Sequence, residues 1–268
     1  MATLRKLVRR PATFVTLGLL TGLLALILIA VSATAGQRTG RAAQESLLLV
    51  TFPGAYTLIL SFILGLGGLF AVIYGAAIAG SEWTWGTLKS AVARGESRTR
   101  YQLFSFAAIA LMIGLGLLVA FGVGVVIAIL GANIAGVSTA GLSDSKTLGS
   151  LPELLARGWL AIVEEGALGF TIATLARSQL AGIGAGIAVY FGEQFASIFL
   201  PDIIKYLPFN VANAAVATSG GSGFGGGGGG GTVIARLAPN DALLIVVAWL
   251  IGAIVVSLLF TERAEISG

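Results

Sequence analysis

The chain has 268 residues, of which 56% are hydrophobic and only 10% are charged, and its net charge is +4. A soluble domain carries about 25% charged residues, so this composition excludes an ordinary soluble enzyme and indicates a helical membrane protein. Because the chain has no Cys and no His, it can have no disulfide framework, no histidine metal ligand and no His-dependent catalytic triad.

Residues 1–12 predict a short amphipathic helix on the cytoplasmic surface of the membrane. Leu4 and Leu7 fall on one helical face, whereas Arg5 and Arg9 fall on another. The alternative is a basic flank that only anchors the topology.

Six continuous apolar stretches are each near the ~20 residues that a helix needs to cross about 30 Å of hydrocarbon. The six predicted transmembrane helices are Phe14–Ala35, Ala55–Ala79, Leu103–Leu130, Gly158–Ala176, Leu180–Leu200 and Ala242–Phe260. They predict an all-α, polytopic integral membrane protein in which residues 1–268 form a single transmembrane domain.

Two of these stretches admit a second interpretation. Ala33–Ala35 resembles a signal-peptide cleavage site, but the apolar stretch exceeds the roughly 7–15 residues of a signal core, which favours a retained helix. The uncharged stretch Tyr101–Ser143 is longer than one span requires. It indicates either one tilted helix that extends past the membrane, which we predict, or a re-entrant hairpin.

The basic residues at the ends of the spans predict the orientation of the chain. Ten of the 16 Lys and Arg residues would share one side with both termini, and the positive-inside rule assigns that side to the cytoplasm. These ten are Arg5, Lys6, Arg9, Arg10, Lys89, Arg94, Arg98, Arg100, Arg177 and Arg263. We therefore predict a multi-pass protein of the cytoplasmic (inner) membrane with both termini cytoplasmic and no binding to nucleic acid.

The loop over residues 201–241 would lie outside the cell and contains the glycine run Gly225–Gly231. Such a run buries too little apolar area to offset its chain entropy, so we predict a mobile external loop. Gly221–Gly226 matches G-x-G-x-x-G but lacks the preceding strand and following helix of a dinucleotide site. No P-loop motif occurs in the chain, so we predict that it is not an enzyme and does not itself hydrolyse ATP.

Three carboxylates fall within the predicted fourth and fifth spans: Glu164, Glu165 and Glu193. An ionised side chain in hydrocarbon is costly, so such residues usually face a cavity, a partner or water. They are candidates for a translocation path. The alternative is a structural role, either an interhelical hydrogen bond or a protonated carboxyl near the interface.

Residues 80–102 connect the second and third spans on the predicted cytoplasmic side and indicate a short interfacial helix. Ser81 can cap a helix, and Glu82 suits the positive end of its dipole. Leu88 and Ala91 then fall on one apolar stripe. A cytoplasmic subunit could use this segment as a lever, although an ordinary amphipathic connector would have the same pattern.

This segment resembles the coupling region of the permease subunits of type-2 ABC exporters. The family pattern is Glu, three residues, Gly-Thr-Leu and then Ser-Arg, and many members carry Pro where this chain has Gly95-Glu96. The matching residues are Glu82, Gly86, Thr87, Leu88, Ser97 and Arg98.

The resemblance implies the membrane-spanning permease subunit of an ATP-driven exporter, paired with a second copy or a paralogue. It also implies a cytoplasmic P-loop ATPase as partner, which would carry ATP and Mg and would act on the matching residues, while this chain would hold no cofactor. The main alternative is a non-transporting scaffold or assembly subunit of a larger membrane complex. A secondary transporter that uses Glu193 is a third.

Overall fold

A computed structural model of the chain describes residues 10–35, 47–216 and 237–264, and these residues contain helices and no strand. In chain order the helices are α1 (Pro11–Ala35), α2 (Gly54–Thr84), α3 (Thr87–Ala93), α4 (Arg98–Ala135), α5 (Ser145–Ala176), α6 (Gln179–Phe199), α7 (Pro201–Ile204), α8 (Pro208–Ala215) and α9 (Pro239–Arg263). The all-α prediction is confirmed for this part of the chain.

Five of these helices, α1, α2, α4, α5 and α9, are long and apolar enough to cross a membrane. They are compatible with a multi-pass membrane protein. The predicted span Leu180–Leu200 corresponds to α6, which has 21 residues but is not one of the five. Glu193 and Gln194 make its C-terminal half less apolar, so the count of six spans stays a prediction.

Most of the long uncharged stretch lies in one continuous helix, the 38-residue α4, as predicted, and its last residues form a 3-10 helix over Ala140–Ser143. α4 packs alongside α1, with Gly116 against Leu17 and Gly131 against Ser32. In both pairs the residue of α4 is numbered 99 higher than the residue of α1, so the start of α1 at Pro11 is level with residue 110 of α4. Because α4 begins at Arg98, it extends 12 residues, about 18 Å, beyond that level. Part of the excess length of the stretch is therefore an extension of α4 past the start of α1.

The fourth predicted span, Gly158–Ala176, lies within α5, which begins at Ser145. Asp144 caps this helix by accepting a hydrogen bond from the backbone N–H of Thr147 (3.0 Å). Bonds from the hydroxyl and the amide of Thr147 lower the pKa of the Asp144 carboxyl. The first turns of α5 carry charged residues and Pro152, so their sequence does not resemble a membrane span.

α2 and α5 form the centre of the bundle and have the most extensive helix–helix packing. Their backbones touch, because Gly75 faces the carbonyl of Gly166 and Gly169 faces the carbonyl of Val72. α1, α4, α6 and α9 surround this pair. Glycines thus provide the close approach on which helix association in a membrane depends.

We expect Gly75→Ala to lower the free energy of unfolding by about 1–3 kcal/mol, because the new Cβ would meet the Gly166 backbone. The matched control is Gly252→Ala in α9, where no atom lies within 4 Å of the added Cβ. This control should raise stability by about 0.5–1 kcal/mol through helix propensity. Thermal unfolding of the solubilised chain measures both, and equal effects would contradict the packing.

α1, α4 and α6 begin, and α2, α5 and α9 end, at the same end of the bundle. Arg10 bonds the Ser81 hydroxyl near the end of α2 (2.7 Å), and Arg98 bonds the last carbonyls of α9. This basic end carries seven of the ten described Lys and Arg side chains: Arg10, Lys89, Arg94, Arg98, Arg100, Arg177 and Arg263. All seven belong to the ten residues that the sequence groups on one side of the membrane.

Candidate functional site

Glu82, in the last turn of α2, is the centre of a buried polar cluster at the basic end. Its carboxylate accepts hydrogen bonds from the Arg10 guanidinium (3.2 Å), the Thr87 hydroxyl (2.5 Å) and the Tyr101 hydroxyl. Because only 7% of Glu82 is exposed, its ion pair with Arg10 is screened less by salt than a surface pair would be. One carboxylate thus joins α1, α2, α3 and α4.

The chain changes direction between α2 and α3 at Gly86. The backbone there is left-handed (φ 62°, ψ 23°), a conformation that favours glycine, whereas the space around a Cβ would be open. Within α3, the side chains of Leu88 and Ala91 are buried. The Arg10 guanidinium lies 5.5 Å from the centre of the Trp85 ring, next to this turn.

The six residues that match the coupling motif differ in exposure: Gly86, Thr87 and Arg98 are half-buried and Ser97 is exposed. Glu82 and Leu88 are buried, whereas Trp85, Ser90 and Arg94 are exposed. The buried Glu82 and Leu88 therefore shape the segment, and only the exposed residues are available for contact with a partner. A motif alone does not separate these roles, since burial is set by helices that are distant in sequence.

The Ser-Arg pair of the motif organises the start of α4. The Ser97 hydroxyl accepts a hydrogen bond from the backbone N–H of Arg100 (3.3 Å), as an N-cap residue does. Arg98 donates to the carbonyls of Thr261 (3.2 Å), Glu262 (3.1 Å) and Ala264 (2.7 Å). A cation there satisfies the free carbonyls of α9 and suits its negative dipole end.

Three further contacts at the basic end were not predicted from the sequence. The Arg177 guanidinium lies 5.2 Å from the Trp83 ring centre and 5.3 Å from that of Phe260. Gln102 donates to the Thr261 hydroxyl (2.8 Å). These contacts tie the ends of α2 and α5, and the start of α4, to α9. No local pattern indicates them, because the residues in contact are 83–159 positions apart in the chain.

The three predicted intramembrane carboxylates are all buried and lie within electrostatic range of one another. Neither carboxylate oxygen of Glu164 has a hydrogen-bond partner among the described residues. Glu165 lies against Gly68 of α2. Within the described ranges, no group of three His, Cys, Asp or Glu side chains is arranged to hold a metal ion.

Glu193 differs from the other two because it is fully engaged by α8. Its carboxylate accepts hydrogen bonds from the backbone N–H of Phe209 (3.5 Å), and from the backbone N–H (3.2 Å) and the side-chain amide (3.0 Å) of Asn210. Leu207 at the N-cap position offers no side-chain acceptor. Glu193 therefore caps α8 from a different helix, which supports the structural alternative for this residue.

The other end of α8 is held by Arg157 of α5. Arg157 donates to the carbonyl of Ala215 (3.4 Å) and to the side chain of Asn240 (2.7 Å). A carboxylate at the N-terminus and a guanidinium at the C-terminus both suit the dipole of a short helix. α8 packs on α5, α9, α2 and α6, whereas the sequence had indicated only an external loop here.

No family model and no curated protein matches this sequence. The functional inference therefore comes from the described geometry and from the resemblance over residues 80–102.

Two predicted features lie outside the described residues. They are most of the amphipathic helix over residues 1–12 and the glycine run Gly225–Gly231. The cytoplasmic assignment of the termini likewise stays a prediction.

Proposed function

We propose that the chain is the membrane-spanning permease subunit of an ATP-driven exporter of the type-2 ABC class. In this proposal a cytoplasmic P-loop ATPase binds ATP and Mg and docks on the basic end. A second copy of the chain, or a paralogue, completes the membrane pair, and closure of the ATPases drives export across the cytoplasmic membrane.

The observation that carries the proposal is the cluster around Glu82. A connector that only links two spans needs no buried hydrogen bonds to a third span. Here Glu82 bonds Arg10 before α1, Thr87 in the first turn of α3, and Tyr101 in α4. A force applied to α3 would therefore reach three long helices through one buried carboxylate.

The start of α4 extends the same connection to the last helix of the chain. Arg98 bonds three carbonyls at the end of α9, and Thr99 bonds the Glu262 side chain. Because α4 begins about 18 Å before the level of α1, this region would project beyond the membrane surface on that side. A projecting helix with buried polar anchors is suited to transmit motion from a docked subunit.

The first experiment is affinity purification of the tagged chain in mild detergent, followed by mass spectrometry of the proteins that accompany it. We expect a P-loop ATPase in stoichiometric amount. The Arg94→Glu variant should retain less of it, because Arg94 is exposed directly after α3. The matched control is Lys146→Glu, which reverses an exposed charge at the opposite end of the bundle and should retain wild-type amounts.

A purified chain accompanied by other integral subunits and no P-loop ATPase would contradict the permease function and favour a scaffold. Loss of the ATPase from Lys146→Glu with retention in Arg94→Glu would contradict docking at the basic end.

A further inference from the structure

An apolar cavity with a volume of about 220 Å³ lies between α1, α2 and α4, and one residue of α5 closes its inner side. Its floor is buried and entirely hydrophobic: Leu20, Ile63, Met112, Ile113 and Ile162. Its rim includes Phe14, Leu115 and Val119, which are 63%, 48% and 46% exposed. The cavity therefore opens sideways between α1 and α4, towards the medium that surrounds the bundle.

The cavity has one polar end, and that end faces the basic end of the bundle. The hydroxyls of Thr13 and Tyr74 lie 3.1 Å apart at this end, one helical turn from Arg10. From Thr13 to Leu20 the lining of α1 extends about 10 Å along the helix axis. The cavity is thus elongated along the membrane normal, with hydroxyl groups near the surface and hydrocarbon side chains below them.

We infer that this cavity binds one acyl chain of an anionic membrane lipid, whose headgroup lies at the basic end. An apolar cavity excludes water and takes up apolar molecules, and an empty one forfeits dispersion contacts. Its mouth is lateral, where a bilayer supplies acyl chains. At the basic end the described residues include seven cationic side chains against three carboxylates, Glu82, Glu96 and Glu262, which attracts an anionic headgroup.

Two glycines in the lining allow the cavity to be filled without disturbing the backbone. The nearest atom to a Cβ at Gly116 is a Leu17 methyl group at 3.9 Å, and the nearest to one at Gly67 is a methyl of Ile63 at 3.7 Å. A leucine at position 116 would place its side chain where the acyl chain lies. Gly122, on the same helix, has no atom within 4 Å and does not line the cavity, so Gly122→Leu is the matched control.

The test is photolabelling of the full chain in nanodiscs that contain phosphatidylglycerol with a diazirine in its acyl chain. Mass spectrometry then maps the labelled residues. We expect label on Met112 and Ile113 in the wild type and in Gly122→Leu. In Gly116→Leu this label should fall by at least about fivefold, because close-packed interiors leave no room for a second chain. If Gly116→Leu does not fold, Gly67→Val fills the cavity from α2 and should lower the label on Met112 and Ile113 in the same way.

A phosphatidylcholine probe with the same diazirine chain tests the headgroup and should label the floor less than phosphatidylglycerol does. Equal labelling of the floor by both probes would overturn the anionic preference. Label confined to outward-facing side chains such as Leu111 and Leu118, or undiminished floor labelling in both filled variants, would overturn the site. Labelling requires no ATPase partner, so its outcome is independent of the proposed permease function.

Discussion

Glu82→Ala should be the most damaging single substitution at the basic end. We expect it to lower the free energy of unfolding by about 3 kcal/mol, because it leaves the shielded Arg10 guanidinium without its carboxylate. It also removes the acceptor of Thr87 and Tyr101, so α3 and α4 lose their polar links to the side chain at the end of α2. In the proposed permease, ATP hydrolysis by the partner ATPase should then no longer be coupled to transport.

Thermal unfolding of the solubilised chain and ATPase activity of the reconstituted complex measure these two effects. The double variant Arg10→Ala/Glu82→Ala is the control for stability, because it leaves no unpaired buried cation and should recover part of the loss. It should not recover coupling, since the links of Thr87 and Tyr101 to the Glu82 carboxylate are still missing. Wild-type stability together with wild-type coupled activity in Glu82→Ala would contradict a role of Glu82 in transmitting force from α3 to the long helices.

The apolar helices could be predicted from the sequence because each is a continuous local stretch. A membrane span must satisfy its backbone hydrogen bonds internally, so its signal does not depend on distant residues. The same holds for α4, whose full length from Arg98 to Ala135 forms one helix. The predicted cap at Ser81 is wrong, because Ser81 lies in the last turn of α2, where its hydroxyl donates to the carbonyl of Ile78. The N-cap in this segment is Ser97, at the start of α4.

The contacts that define the candidate site could not be predicted, because they join residues far apart in the chain. Arg98 is one residue of a short motif, yet its acceptors lie 163–166 positions later, in α9. Arg10 and Glu82 are 72 positions apart. Local sequence identifies such residues as charged and interfacial but does not show that they are buried or which partners they contact.

α8 is the clearest example of a structure that depends on distant residues. Its own N-cap residue, Leu207, has no acceptor side chain, and eight residues are too few for an isolated helix to be stable in water. The cap comes instead from Glu193 in α6, and the C-terminal partner from Arg157 in α5. The sequence therefore indicated a loop where the structure has a buried helix.

Glu193→Ala should release the N-terminus of α8. We expect a loss of about 2 kcal/mol in the free energy of unfolding, because the N–H groups of Phe209 and Asn210 lose their acceptor. Hydrogen exchange over Pro208–Ala215 should increase at the same time. Glu193→Gln keeps one acceptor oxygen and should lose about half as much stability, with exchange close to that of the wild type.

This pair of variants also separates the structural role of Glu193 from a role in secondary transport. A proton or cation path would need the charge of the carboxylate, so Glu193→Gln would stop transport while leaving the helix capped. A capping role needs only an acceptor, so Glu193→Gln should transport like the wild type and only Glu193→Ala should fail. Glu164→Ala is the control, because it removes no hydrogen bond among the described residues and should leave exchange in α8 unchanged.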